Sequence, residues 1–144
     1  MTRSDDSGTL PDMARQAHPK QHIRVLLIVA HGSRQPQANT EVEELAGQMR
    51  DVAPRAFDEI SCAFLQMGTP SVPEGIDGLV QKGATEVVLF PYFTAAGTHV
   101  CCDLPRLIRE AENRHPATTF QMIPHLAAIP GLGRLIIDHA LTRS

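Results

Sequence analysis

Residues 25–32 read VLLIVAHG, a run of six consecutive apolar residues followed by a histidine and a glycine. An unbroken apolar run of this length is typical of a strand that is buried on both faces, as the strands of a parallel sheet are. It is far shorter than the ~20 apolar residues that a membrane-spanning helix needs. The run therefore predicts a central strand, with His31 just beyond its carboxyl end.

Three further apolar runs continue this pattern along the chain, and segments with helical spacing separate them. We predict strands over residues 60–65, 87–90 and 120–123, with an amphipathic helix after each strand. Ser71 and Glu74 have the spacing of a capping box, which predicts the start of the second helix. Four βα units indicate an α/β fold, a three-layer sandwich with a four-stranded parallel sheet of flavodoxin-like order 2-1-3-4.

The first 22 residues of the 144-residue chain differ from the rest, because they are polar and have neither a hydrophobic period nor the apolar core of a signal peptide. We predict a flexible N-terminal tail over residues 1–22 and a single domain over residues 23–144. His18 and His22 have i, i+4 spacing, but in such a tail we do not interpret them as a metal-binding pair. We expect a cytoplasmic protein with no membrane partner.

Charge and cysteine content argue against several classes of function. The chain has 13 Lys and Arg against 16 Asp and Glu, a net charge of −3, and no basic cluster with interleaved aromatic residues, so we expect no nucleic-acid partner. Cys62, Cys101 and Cys102 form no CxxC unit and are odd in number, which argues against a disulfide framework and a cysteine-only zinc site. We expect reduced thiols, with Cys101 and Cys102 buried or inert.

Two histidines follow predicted strands that are neighbours in this strand order. His31 follows the first strand, and His99 lies in the loop after the third. Ligands of an open parallel sheet bind outside the carboxyl ends of the strands, where the strand order changes direction, so we expect both histidines in one site. Imidazole is a common metal ligand and titrates near neutral pH. The pair is a candidate for holding a divalent metal, for moving protons, or for both.

The residues around the two histidines suit a ligand site. Gly32 and Gly97 let the backbone approach a ligand closely, because glycine has no side chain. Ser33, Thr94 and Thr98 offer hydroxyl and amide groups near the starts of predicted helices. We expect Ser33 and Thr98 to contact the substrate.

Three segments carry a family resemblance, namely LLIVAHGSRQPQAN, CAFLQMGTPSV and FPYFTAAGTHVCCDLP at residues 26–39, 62–72 and 90–105. They resemble the signature segments of the small sirohydrochlorin chelatases, the CbiX/SirB group of class II chelatases. The resemblance extends over residues 23–141 and implies a chelatase-like half-domain. It also implies a lyase that inserts a divalent metal into sirohydrochlorin, with the metal as a substrate and no permanently bound cofactor.

The resemblance leaves the metal open between Fe²⁺, which gives sirohaem, and Co²⁺, on the route to cobalamin. We favour iron, because the chain has neither the histidine-rich tract nor the added cysteine cluster of some longer cobalt-associated relatives. The alternative to an enzyme is a carrier that delivers metal or tetrapyrrole without catalysis.

The family pattern implies roles by position. His31 and His99 match the two histidines that bind the incoming metal and serve catalysis, and Asp103 and Pro105 match the end of the second histidine motif. Gln66 stands where the family pattern has a glutamate. Its amide offers a carbonyl oxygen, but it cannot accept a proton or cancel metal charge. Gln66 is therefore a candidate metal ligand that leaves the choice of metal and of general base open.

Sirohydrochlorin carries many carboxylates, which a protein of net charge −3 must bind with local arginines and backbone amides. Arg34 and Arg106 are the candidates for this role, and His125, which follows the fourth strand, is a candidate for the same cleft. The chain has one copy of the motifs, whereas larger class II chelatases build one cleft from two similar halves. We therefore expect a homodimer.

Overall fold

A computed structural model describes residues 22–142 as strands that alternate with helices. The strands are β1 (Arg24–Ala30), β2 (Glu59–Phe64), β3 (Glu86–Pro91) and β4 (Thr119–Met122). The helices are α1 (Pro36–Val52), α2 (Val72–Gln81), α3 (Leu104–Arg114) and α4 (Leu132–Thr142). A π-helical turn spans His99–Asp103 and a 3-10 turn spans Leu126–Ala128. Each strand begins and ends within one residue of its predicted bounds.

All four strands are parallel and lie in the order β2-β1-β3-β4, which confirms the predicted sheet. The side chains of β1 alternate between two core clusters. Leu27 and Val29 pack with residues of α2 and α3, whereas Leu26 and Ile28 pack with residues of α1. Because helices cover both faces of the sheet, the side chains of residues 25–30 are buried whichever face they are on. This explains the unbroken apolar run in the sequence.

The predicted capping box begins α2. The Ser71 hydroxyl accepts a hydrogen bond from the backbone N–H of Glu74 at 3.2 Å, and the Glu74 carboxylate accepts one from the Ser71 N–H at 3.1 Å. These bonds satisfy backbone donors that the start of a helix leaves unpaired. The helix then buries Ile76 and Leu79 against the sheet.

The closing helix α4 forms, but it does not pack as the other helices do. It has no buried residue; Leu135, Ile136 and Ile137 are 55–57% exposed and Leu141 is 75% exposed. Within the described residues, its main contact is with the 3-10 turn that precedes it. A single chain therefore leaves the apolar residues of α4 uncovered.

All three cysteines are free in the part of the chain that the structure describes, and Cys62 is buried. Burial, with a smaller contribution from Glu43, raises the pKa of the Cys62 thiol. The expectation of burial is wrong for Cys101 and Cys102, which are both exposed. The π-helical turn places the neighbouring Val100 in the core instead.

Residues 1–21 lie outside the described residues, and with them lie most of the predicted tail and His18. His22 is described, and its Nε2 atom lies 3.1 Å from the Glu86 carboxylate at the amino end of the sheet. Among the helices of residues 22–142, none combines the length and the apolar character that a membrane crossing requires.

The backbone after β1 meets the backbone after β2 at Gly32. Pairing of the two strands continues past their ends, since Leu65 donates its N–H to the Ala30 carbonyl at 2.9 Å and Gln66 donates to the His31 carbonyl at 3.0 Å. Gly32 then has a φ of +97°, and a Cβ atom there would overlap the Gln66 carbonyl oxygen. Glycine is therefore required at this position by the neighbouring loop, and the expectation that the Gly32 backbone approaches a ligand stays a prediction.

A cluster of charged side chains joins α2 to the end of α3. The Asp77 carboxylate accepts hydrogen bonds from His115 Nε2 at 2.7 Å and from the Arg114 guanidinium at 3.0 Å. The bond from His115, assisted by Arg114, holds the pKa of Asp77 below its ordinary value. Because folding lowers this pKa, the cluster stabilises the fold above the unfolded pKa of about 3.9, and the stabilisation is lost as the pH falls through the folded value.

We expect Gly32→Ala to lower the free energy of unfolding by about 2–4 kcal/mol, because it combines a strained positive φ with overlapping backbone atoms. Urea-induced unfolding followed by circular dichroism measures the change. Gly97→Ala is the control, since no atom lies within 4 Å of a Cβ at that position. It should change stability by less than about 0.5 kcal/mol. Equal stability of the two variants would contradict the steric argument.

Asp77→Asn should lower the free energy of unfolding at neutral pH by about 0.2–1 kcal/mol, because the cluster is partly exposed to solvent. The variant should also lose less stability than the wild type between about pH 5 and about pH 3. Urea unfolding across this range tests both points. Glu59→Gln is the control, because it removes an exposed ion pair with Lys82 that involves no histidine. This variant should keep the acid sensitivity of the wild type. A wild-type pH profile for Asp77→Asn would argue against the linkage.

Candidate functional site

The two loop histidines lie against each other at the carboxyl edge of the sheet. His31 directly follows β1, and His99 opens the π-helical turn after β3. Their ring centroids are 4.8 Å apart, and the ring planes are inclined by 65°. Because β1 and β3 are adjacent parallel strands, their carboxyl ends bring both side chains to one place.

The carboxylate of Asp103 orients the ring of His99. The Nδ1–H of His99 donates a hydrogen bond to Asp103 Oδ2 at 2.7 Å. In the π-helical turn, the Leu104 N–H reaches back to the His99 carbonyl, and the Phe93 ring stacks on the imidazole at 6.2 Å. A proton on Nδ1 leaves the lone pair of a neutral ring on Nε2. Asp103 was expected only as the end of the second histidine motif, and its contact with His99 was not predicted, although their i, i+4 spacing was a usable signal.

The ring of His31 is oriented by two different partners. Its Nδ1 lies 3.1 Å from the Gly32 carbonyl oxygen, and its Nε2 lies 2.8 Å from Gln66 Nε2. A carbonyl only accepts hydrogen bonds, so Nδ1 of His31 carries the proton and Nε2 carries the lone pair. The structure therefore places Gln66 in direct contact with His31.

Asn39, in the first turns of α1, holds the two loops together. Its Oδ1 accepts from the Ser33 N–H at 3.0 Å, and its Nδ2 donates to the carbonyls of Ser33 and Met67 at 3.2 and 2.8 Å. Sequence analysis missed this contact, because nothing local to Asn39 shows where the loop after β2 runs. The hydroxyl of Ser33, a predicted substrate contact, accepts from the Gln35 N–H and so stabilises its own loop.

A cleft of about 360 Å³ opens beside His99. Gln66, Asp103 and Arg106 contribute polar groups to its wall. The apolar side chains that complete the lining are Leu65, Val72, Pro73 and Leu107. The Arg106 guanidinium is bonded to Glu110 one turn further along α3, at 3.1 Å. The cleft therefore combines apolar surface with a few polar groups, which is typical of a small-molecule site.

The remaining predicted substrate contacts lie at the same edge of the sheet. Arg34 and Thr98 are exposed, and His125 is half-buried just before the 3-10 turn. Among the described residues, no side-chain hydrogen bond joins these three to the two histidines. The described part of the chain also contains no group of three or more His, Cys, Asp or Glu side chains arranged to hold a metal.

A second hollow, of about 320 Å³, lies near the amino end of the sheet beneath the end of α1. Its lining is almost entirely apolar and consists of Leu26, Leu45, Gln48, Met49, Val52, Ala53, Ala56, Phe57 and Ile60. No titratable side chain lines it, so this hollow offers no group for acid–base or metal chemistry.

The sequence matches the CbiX family over residues 25–142. It is 27% identical to the sirohydrochlorin cobaltochelatase of Methanocaldococcus jannaschii over 93 residues, which are 65% of this chain and 64% of that protein. It is 30% identical to the chloroplastic sirohydrochlorin ferrochelatase of Arabidopsis thaliana over 114 residues, which are 78% of this chain and 48% of that protein. The matches thus span less than two thirds of the length of these relatives.

Two solved structures share the fold. The sirohydrochlorin chelatase SirB of Bacillus subtilis subspecies spizizenii, in complex with cobalt, aligns with a TM-score of 0.72 and 20% identity over 84% of this chain and 51% of that chain. A cobalamin biosynthesis CbiX protein of Marinobacter aquaeolei VT8 aligns with a TM-score of 0.68 and 24% identity over 84% of this chain and 99% of that chain. With the match over residues 25–142, the chain belongs to the CbiX family.

Proposed function

We propose that this protein is a sirohydrochlorin chelatase, a lyase that inserts a divalent metal into the tetrapyrrole. The observation that carries the proposal is the pair of adjacent imidazoles, His31 and His99, whose Nδ1–H groups are both bonded within the protein. Both rings therefore carry on Nε2 the lone pair that a ligand or a base needs, and in His31 that atom accepts a hydrogen bond from Gln66 Nε2 at 2.8 Å. Membership of the CbiX family and the chelatase names of relatives support the same activity.

Metal insertion needs ligands that take the ion from water and then release it, together with bases that accept two pyrrole protons. Neutral imidazoles suit the first task, because they bind Fe²⁺ or Co²⁺ without the firm hold of thiolates. They suit the second task, because imidazole titrates near neutral pH. As each pyrrole nitrogen takes the metal, one bond between the metal and a histidine Nε2 breaks. The lone pair freed on that Nε2 accepts the proton as the pyrrole N–H bond breaks, and the pyrrole nitrogen keeps the electron pair that binds the metal.

Asp103 has a separate role in this scheme. When His99 accepts a proton at Nε2, both ring nitrogens carry hydrogen and the ring becomes positively charged. The Asp103 carboxylate, 2.7 Å from Nδ1, stabilises that charge and keeps the ring oriented. His31 faces a neutral carbonyl at the corresponding position. We therefore assign the first proton transfer to His99.

The carboxylates of sirohydrochlorin need positive partners at the rim of the cleft. Arg106 is the leading candidate, because it lines the cleft with His99, although it must exchange its bond to Glu110 for a substrate carboxylate. Arg34 is the second candidate, since it is exposed on the loop that follows His31. Thr98 and His125 remain candidate neutral contacts at the same edge.

We propose Fe²⁺ as the metal in the cell, because the chain has neither the histidine-rich tract nor the added cysteine cluster of some longer cobalt-associated relatives. Co²⁺ is the alternative, since the relatives described above are named for cobalt and for iron. Two histidine nitrogens accept either ion with similar geometry. We also propose that the reaction takes place in the cytoplasm, and the three free cysteines are in keeping with a reducing compartment.

A shared cleft is the second part of this proposal. The SirB chain is about twice as long as the region that this chain matches, whereas the Marinobacter protein is matched along nearly its whole length. We propose that a second copy of this chain supplies the missing half, so that the protein works as a homodimer. The exposed apolar residues of α4 support this, because an isolated helix of eleven residues is marginal in water unless it packs against something.

We expect His31→Ala and His99→Ala each to lower the rate of metal insertion by a factor of about 100 to 10,000, the range for loss of a positioned proton-transfer group. Anaerobic assays that follow the absorbance of sirohydrochlorin measure this with Fe²⁺ and with Co²⁺. His22→Ala is the control, because His22 lies at the amino end of the sheet. Activity within about threefold of the wild type for both variants would remove the histidines from the mechanism. Product limited to one equivalent of protein would indicate a carrier.

The wild type should have a mass of about twice 15.7 kDa by light scattering at micromolar concentration. Ile136→Glu should raise the dimer dissociation constant on the order of tenfold or more, because it buries an unpaired carboxylate in the contact. Asp138→Asn, on the same helix, should leave the mass unchanged. A wild-type mass near 15.7 kDa with full chelatase activity would contradict the shared cleft.

A further inference from the structure

The side chain of Gln66 is hydrogen-bonded to Nε2 of His31, the atom that the proposed reaction uses as a metal ligand and as a base. Gln66 Nε2 lies 2.8 Å from His31 Nε2. We propose that Gln66 is a positioning residue with two states: its amide N–H binds His31 Nε2 in the metal-free protein, and its amide oxygen binds the metal once His31 does. The inference rests on the proposed function, because it assumes that the metal is bound at His31 and His99.

The first state follows from the hydrogen bonds of His31. Because Gly32 presents a carbonyl to Nδ1 at 3.1 Å, the hydrogen of the neutral ring is on Nδ1 and Nε2 is an acceptor. Only a donor can face that lone pair favourably, so Gln66 presents its NH₂ group and not its oxygen. Gln66 thereby holds His31 in the tautomer whose Nε2 is ready to bind a metal or accept a proton.

The second state follows from the charge of the metal. A cation on His31 Nε2 would face the positive end of the amide N–H, which is unfavourable. Half a turn about the last bond of the side chain replaces NH₂ by oxygen at nearly the same place, and this terminal torsion is broad and two-fold. The backbone need not move, because the Gln66 N–H is bonded to the His31 carbonyl and its own carbonyl packs on Gly32.

The consequence is a neutral set of ligands, consisting of two imidazole nitrogens and one amide oxygen. A carboxylate in the third position would cancel part of the metal charge and hold the ion more firmly. The neutral set leaves that charge available to the macrocycle nitrogens, which become anionic as they lose their protons. Gln66 therefore favours release of the metal over its retention.

Calorimetric titration of the metal-free, full-length protein with Co²⁺ tests the second state without sirohydrochlorin. We expect Gln66→Leu to weaken Co²⁺ binding by about tenfold or more, because an oxygen ligand is lost. We expect Gln66→Glu to bind Co²⁺ at least as tightly as the wild type. Gln81→Leu, at the far end of α2, is the control and should leave the affinity unchanged.

The proposal is tested by whether Gln66→Leu weakens or tightens the binding of Co²⁺. If the amide only blocked His31, removing it would tighten Co²⁺ binding, and that outcome overturns the second state. Unchanged affinity, or no Co²⁺ binding by the wild type, overturns it as well. If Gln66→Leu does not fold, Gln66→Asn, whose amide is one methylene shorter, should show the same loss.

Nuclear magnetic resonance of the side-chain amide tests the first state. One Nε2 proton of Gln66 should be shifted downfield in the metal-free protein, and the shift should disappear when Zn²⁺, a diamagnetic probe, is added. The same proton should lose its shift in His31→Ala. A Gln66 amide signal that neither Zn²⁺ nor His31→Ala alters would overturn the first state. Neither measurement uses a tetrapyrrole, so both can be interpreted even if the protein has no chelatase activity.

Discussion

The structure depends on the position of β1, which is paired along both edges and covered by helices on both faces. β3 is also paired along both edges and buried, but its pairing with β4 ends at Leu89. Because β1 is fixed on all sides, the residue that follows it has a fixed position as well. The loops after β2 and β3 then contact His31, the first through the Gln66 amide and the second through the His99 ring.

The two histidines reach the same chemical state by different means. Both carry hydrogen on Nδ1 and present Nε2, but Nδ1 of His31 is bonded to a backbone carbonyl and Nδ1 of His99 to a carboxylate. A neutral partner stabilises the uncharged ring, whereas a carboxylate also stabilises the protonated ring. The roles that we propose follow from this difference. His31 holds the metal beside Gln66, and His99 accepts the first proton.

The same geometry bears on the proposal that two copies of the chain form one site. The cleft beside His99 is open to solvent, and the apolar residues of α4 are exposed as well. A tetrapyrrole is a broad plate with charged groups at its rim and needs surface on both faces. The SirB structure is about twice as long as the region that aligns with this chain, whereas the Marinobacter structure aligns along nearly its whole length. A second copy of this chain is the source that we propose for the second surface.

The sequence was enough to predict the strands, their order and the meeting of His31 with His99, because apolar periodicity is local and successive βα units bring the carboxyl ends of parallel strands to one edge of a sheet. It did not determine what each site residue contacts. That Gly32 packs on Gln66, that Asn39 joins two loops, and that Cys101 and Cys102 face solvent were decided by the tertiary structure. Each depends on where a distant loop runs, and no local pattern records the position of a distant loop.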